Sequence, residues 1–213
     1  MPKTNHSEQS RIDGLHLILA SEKGDIGMVK SLLEKGVYIH TQDKDGKCAV
    51  VAAAYGNYVE VAELLIEAGA DVNMKDNTLQ SAYLIATCEI PVSKTQTDLL
   101  KLTLKAGADV HRTDSYNGTG LIRAADRGYV EIIKELLKTD IRINHVNKIG
   151  WTALLEAIIL GSGGKQHTEV VRLLVDAGAD VNLPDKDGIT PLSHAKTKNY
   201  IEIIKILENA GAK

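Results

Sequence analysis

Apolar and polar positions along this chain fall into short paired blocks. Val59-Glu60-Val61-Ala62-Glu63-Leu64-Leu65-Ile66 places its apolar residues at helical spacing and predicts an amphipathic helix. The block before it, Ala49-Val50-Val51-Ala52-Ala53-Ala54, is apolar throughout and small-sided, which predicts a short helix buried on all faces. Asp43-Lys44-Asp45-Gly46 opens the unit as a turn-forming tip, and Gly69 supplies the stop after the second helix, where a left-handed backbone is favoured. The predicted unit is therefore tip, helix, turn, helix.

The unit recurs. Ala68-Gly69-Ala70-Asp71-Val72-Asn73 returns as Ala106-Gly107-Ala108-Asp109-Val110-His111 and as Ala177-Gly178-Ala179-Asp180-Val181-Asn182. Degenerate copies are Lys35-Gly36-Val37-Tyr38-Ile39-His40 and Thr139-Asp140-Ile141-Arg142-Ile143-Asn144, and a last one stops at Ala210-Gly211-Ala212-Lys213. The closing residues His40, Asn73, His111, Asn144 and Asn182 are spaced 33, 38, 33 and 38 apart. Tyr58, Tyr129 and Tyr200 each lie 71 apart, so a two-repeat block has been duplicated. The extra residues of the long repeats fall between Thr87 and Thr97 and between Ile158 and Thr168. They predict loops at the far end from the tips, one interrupted by Pro91 and one Gly-rich and mobile.

This pattern resembles the ankyrin repeat. The resemblance rests on Thr190-Pro191-Leu192, Thr152-Ala153-Leu154 and the Gly-Ala-Asp-Val-Asn runs, and covers roughly Asp13 to Lys213. It implies an all-α solenoid of about six helix-turn-helix units, near 13–42, 43–75, 76–113, 114–146, 147–184 and 185–213, after a polar lead-in at 1–12. The first and last units are expected to be polar caps. Glu208 and Lys196 stand where inner units carry apolar residues, and Ser21 and Glu22 follow Ala20 in the first. The family's Thr-Pro-Leu-His signature is never complete: Ile18, Val51, Leu84, Ile122, Leu155 and Ser193 occupy the His position, and His194 comes one residue late. Ties between neighbouring tips are expected to be weak or apolar.

Composition fits this plan and narrows the chemistry. The 213 residues are 44% hydrophobic but only 4% aromatic, with no Phe, as expected of thin helices stacked closely. A net charge of −3 provides no broad basic footprint for nucleic acid. No apolar run forms a signal peptide or a membrane span, and two Cys make no disulfide framework, so a cytoplasmic protein is expected. Gly161-Ser162-Gly163-Gly164-Lys165 imitates a phosphate loop, but Gln166 follows the lysine and no strand precedes it. His40 and His111 sit in a column of Asn, where a turn-bonding role is expected rather than metal binding, and no cofactor is expected. Cys48 takes a Thr position and is expected to pack; Cys88 ends a first helix.

In ankyrin-like stacks the tips and the exposed side of the first helices line a concave binding surface, so the resemblance implies protein–protein binding without catalysis: an adaptor, scaffold or stoichiometric inhibitor, acting as a monomer. The alternatives are a microbial effector acting on host proteins, or an enzyme or nucleotide-binding protein using Cys88 or Lys165. Five of the eight aromatics are placed by the repeat, which leaves Tyr55, Tyr116 and Trp151 for the concave side. Tyr116, Ile149, Trp151 and Ile189 lie on successive tips and are expected to form an apolar stripe of anchors, the alternative being that Trp151 folds back and shields its neighbour tip; Lys148 joins them in the candidate partner-binding set. Arg123 and Glu156 share a column and are expected to form an exposed ion pair across the groove. Asp126 and Arg127 complete the candidate partner-binding set. The Tyr58, Tyr129 and Tyr200 column is expected to pack.

Overall fold

The computed structural model describes the backbone of residues 6–88 and 94–213 and the side chains of 8–87 and 97–213. Two compact units divide the chain, Met1–Asp109 and Val110–Lys213. The first contains α1 (His6–Glu22), α2 (Ile26–Glu34), α3 (Ala49–Tyr55), α4 (Val59–Glu67), α5 (Ala82–Cys88) and α6 (Lys94–Lys105). The second contains α7 (Gly120–Arg127), α8 (Val130–Leu136), α9 (Ala153–Ile159), α10 (Lys165–Asp176), α11 (Pro191–Thr197) and α12 (Ile201–Asn209). Consecutive helices pair, α1 with α2, α3 with α4, and so on. Within the first unit α3 lies between α1 and α5, and α4 touches α2 and α6; within the second α9 lies between α7 and α11, and α10 between α8 and α12.

This layering explains the two kinds of helix. α3 and α9 have a neighbour on each side and their own partner behind, so Ala49 to Ala54 and Ala153 to Ile158 are all buried. Gly120 to Ala125 of α7 are buried as well. Small side chains let the backbones approach. The second helices are covered on one face: α4 buries Val61, Ala62 and Leu65 and exposes Glu60, Glu63 and Glu67.

Thr119, Thr152 and Thr190 cap α7, α9 and α11, their hydroxyls accepting from the N–H of Ile122, Leu155 and Ser193 at 3.4, 3.2 and 3.3 Å. Cys48 has the same extended backbone ahead of α3 but no capping hydrogen bond, and it is buried as expected; burial pushes its thiol pKa up.

The closing Asn column ties one loop to the next. Asn73 Oδ1 accepts from Asp109 N at 2.8 Å, Asn144 Oδ1 from Asp180 N at 2.8 Å and Asn182 Oδ1 from Lys213 N at 2.9 Å. His40 does the same work, its Nε2 accepting from Asp71 N at 3.2 Å, while His111 Nε2 faces the Asp140 carboxylate at 3.4 Å. Two tyrosines of the Tyr58, Tyr129 and Tyr200 column pack on a glycine of the neighbouring repeat, Tyr58 with one side still exposed. Tyr58 and Tyr200 lie so close over Gly24 and Gly163, both at φ +68°, that an added Cβ would come within 2.6 and 2.3 Å of the rings.

Two expectations change. Lys196 and Glu208 are exposed as a polar cap requires and pair at 3.2 Å, but the first unit does not owe its end to Ser21 and Glu22. Ser21 is buried and bonds Leu17 O, Glu22 pairs with Lys47 at 3.0 Å, and Ile12, Leu19 and Met28 are exposed instead. The Gly-rich insertion is held rather than loose: Tyr200 Oη donates to Gly161 O at 2.7 Å, and His167 Nε2 lies 2.9 Å from Asp126 O. Most of the other insertion, 89–93 and its Pro91, lies outside the described residues.

Cys48→Thr should restore the missing cap in the register of Thr119 and Thr152. Urea unfolding is expected to show a gain of about 0.5–1 kcal/mol; a loss would mean that the site has no room for the hydroxyl.

Candidate functional site

Each tip is built on one side chain. Asp43, Asp76, Asp114, Asn147 and Asp185 recur with the spacing 33, 38, 33, 38. In each, Oδ1 accepts from the backbone N–H two and four residues on: Asp45 and Lys47, Thr78 and Gln80, Tyr116 and Gly118, Ile149 and Trp151, and Asp187 and Ile189, at 2.8 to 3.1 Å. The turn is thereby folded around a polar side chain rather than a hydrophobic one.

The other atom of that side chain is braced by the first helix. Tyr55 Oη donates to Asp76 Oδ2 at 2.8 Å. In the second unit the brace comes from nine residues further along: Arg123 Nη1 donates to Asp114 Oδ2 at 2.8 Å, and His194 Nε2 meets Asp185 Oδ2 at 2.7 Å. The middle tip reverses the polarity. Asn147 stands where its neighbours carry Asp, and its Nδ2 donates to Glu156 Oε1 at 2.7 Å. An Asp there would set two carboxylates together.

The expected ion pair between Arg123 and Glu156 is therefore corrected. Both are buried, at 8% and 5% exposure, and each turns to the tip of its own repeat. The nearer partner wins because a buried charge needs a hydrogen bond in place, not attraction across a wet groove.

Electrostatics separate these sites. Burial pushes the Asp76 carboxyl up, but hydrogen bonds from Thr78, Gln80 and Tyr55 outweigh it and hold its pKa low. Asp185 is likewise held low, first by the Ile189 N–H, against desolvation and with His194 helping. Glu156 goes the other way. Burial first, then the charges of Asp126 and Asp114, push it up to about 7, against the Asn147 hydrogen bond. Its Oε2 has no hydrogen-bond partner.

Glu156 also lines a cavity of about 190 Å³ between the tips and first helices of the second unit, with Asp114, Arg123, Asp126, Tyr116 and Ile149 around it. Tyr116 is 68% exposed and Ile149 44%, so the rim is apolar and open. Ile189 is exposed on the next tip; Trp151 is half-buried and does not line the cavity. Lys148 is an exposed residue whose ammonium is committed, its Nζ donating to Ser115 O at 2.7 Å. Tyr55 is exposed by its ring and anchored by its hydroxyl. Asp126 is partly exposed and Arg127 exposed. Lys165 is the exposed first residue of α10 and follows a helix, α9, rather than a strand. The Cys88 side chain lies outside the described residues.

The family model for ankyrin repeats (three copies) matches residues 5–76 and 84–185. The chain belongs to the ankyrin repeat family. It is 39% identical over 196 residues to the putative ankyrin repeat protein YahD of Escherichia coli, covering 92% of this chain and 95% of that one. With human ankyrin repeat and SOCS box protein 6 it shares 30% identity over 175 residues, 81% of this chain but 41% of that protein. Among solved structures, an ankyrin repeat domain from Acinetobacter baumannii is 47% identical with a TM-score of 0.88, covering 92% and 98% of the two chains. A chain from the complex of the predatory endopeptidase Bd0816 of Bdellovibrio bacteriovorus with immunity protein Bd3460 is 27% identical with a TM-score of 0.75, covering 91% and 97%.

Ankyrin repeats are protein-interaction modules, and their stacked tips form the surface. This ankyrin chain, lacking the His of the tip signature, ties its tips by other bonds. Asn77 N donates to Asp45 O and Lys148 N to Tyr116 O, both at 2.9 Å. Asn117 Nδ2 adds a bond to Val146 O at 3.1 Å, and His145 Nε2 lies 2.9 Å from Asn117 O. The expectation of weak ties is corrected: backbone amides and Asn side chains replace the missing ring. Among the described residues no group of three or more His, Cys, Asp or Glu is arranged to hold a metal ion, and no helix is long and apolar enough to cross a membrane.

Glu156 has a pH signature. Its folded pKa, about 7, lies above the ordinary value of 4.5, so the folded state favours the protonated form. Its contribution is present below the lower value and lost as pH rises through the upper one. Glu156→Gln keeps the acceptor for Asn147 and removes the charge. The variant should match the parent near pH 4.5 and exceed it by about 1–3 kcal/mol at pH 8. Chemical denaturation across that range checks this; parallel curves would contradict it.

Proposed function

We propose that the chain is a cytoplasmic, non-catalytic protein-binding module that grips one protein partner through the tips and first helices of residues 114–194. The observation that carries this reading is an open apolar surface, Tyr116, Ile149 and Ile189, set on tips tied to one another through Lys148 N to Tyr116 O and Lys186 Nζ to Lys148 O. Rigid tips order few side chains on binding, and exposed aromatic and aliphatic groups beside buried polar ones are the composition of an interface hot spot. Trp151, half-buried on the same tip as Ile149, adds apolar area to this face. The endopeptidase–immunity protein complex among the structural relatives supports a binding role such as stoichiometric inhibitor or adaptor.

Tyr116→Ala with Trp151→Ala is the test. Circular dichroism should be unchanged, and thermal unfolding should show a loss of no more than about 2 kcal/mol, since only Trp151 loses buried area. Affinity capture from lysate of the producing cell, read by mass spectrometry, should recover the partner with the parent chain and at least tenfold less with the variant. Equal recovery by both would overturn the proposal.

A further inference from the structure

The repeats contain an internal comparison that points to what the cavity beside Glu156 takes. Glu22 and Asp126 occupy the same position of their repeats, at the end of a first helix, and 25 residues beyond each comes the same tip position: Lys47 in one case, Trp151 in the other. In the first unit the pair is complete, with Lys47 Nζ 3.0 Å from Glu22 Oε1. In the second unit the tip supplies an indole and no charge. Asp126 is left with the exposed Arg127 beside it at 3.6 Å, too long for a good N–H···O bond.

Asp126 is not alone there. Glu156 shares the cavity, 5% exposed, with one oxygen taken by Asn147 and the other, Oε2, unpartnered. Oε2 is buried in a residue that lines the cavity, and the terminal torsion of a Glu side chain is soft enough to present either oxygen. Asp114 adds a third carboxylate, and Arg123, bound to it, the one cation among the cavity-lining residues. Counting formal charges, three carboxylates against one guanidinium leave the cavity acidic. At about 190 Å³ it is smaller than the ~300–1,000 Å³ of a site for a drug-sized ligand, and suits a single side chain.

We propose that this cavity is the socket for one cationic side chain, an arginine or lysine, of the protein partner. Its charged head takes the place at Asp126 that Lys47 takes at Glu22, reaches the free oxygen of Glu156, and lays its aliphatic stem between Tyr116 and Ile149. This rests on the protein-binding reading above and gives that partner its chemistry. A guanidinium, planar and less strongly hydrated, fits two carboxylates better than an ammonium does.

The test needs no partner in hand. The full chain, labelled with nitrogen-15, is titrated at pH 7.5 with N-acetyl-arginine methylamide, the lysine equivalent and the uncharged citrulline equivalent. The expected result is saturable shifts at the amides of Tyr116, Asp126, Asn147 and Glu156 with the arginine probe, at a dissociation constant of about 1–10 mM. Lysine should bind more weakly and citrulline at least tenfold more weakly. Asp126→Asn and Glu156→Gln should each weaken arginine binding severalfold while the rest of the spectrum stays in place. If lysine binds as well as arginine, the socket holds and the guanidinium preference falls. No saturable shift with arginine, or an equal response to citrulline, would overturn the socket and leave partner binding by the tips standing. Saturable arginine binding by a chain that captures no partner would overturn the function and leave the socket.

Discussion

A helix packed on both sides has no water to offer a polar side chain. That constraint governs this protein. The first helices are buried along most of their length, which selects Ala, Leu, Ile and Val and makes every polar exception conspicuous. Arg123 and Glu156 are tolerated only because the tips bring a hydrogen-bonding atom to each. The same tip residue folds its own turn through Oδ1, so one side chain organises the loop and satisfies the helix beneath it.

The reversal at Asn147 has consequences beyond that repeat. The carboxylate facing Arg123 gains an opposite charge, whereas a carboxamide facing Glu156 satisfies one oxygen and neutralises nothing. Glu156 is therefore buried, acidic and half-satisfied, with Asp126 and Asp114 pressing on it. Such an arrangement is costly to an isolated chain and becomes favourable when a cation arrives. Comparison between repeats makes the point visible, because the one repeat with Lys47 at its tip supplies a cation to Glu22 itself.

Much of the fold was legible. The apolar periodicity located α3 and α4 to within a residue, the repeat spacing carried the same plan along the chain, and the exposure of Tyr55 and Tyr116 fits their being left over once the repeat was accounted for. What escaped was pairing. Arg123 and Glu156 occupy one column, so opposite charges suggested a bond between them, but burial ties each to the residue nine positions before it. The signal was present: Asp43, Asp76, Asp114, Asn147 and Asp185 share the repeat spacing, and the one Asn precedes the one Glu of the brace column. Tip ties were misjudged for a related reason, since backbone amides that replace a side chain leave no mark on sequence. The Gly-rich insertion read as loose because the hydroxyl that pins it, that of Tyr200, lies 39 residues away.

The central claim is that Glu156 is a buried carboxyl bonded to Asn147 and lacking a cation. Its side-chain carboxyl carbon, followed by NMR against pH in the free protein, tests this most directly. The account predicts a titration midpoint near 7. A midpoint at the ordinary value of about 4.3 would mean a solvated or charge-paired carboxylate and would contradict it.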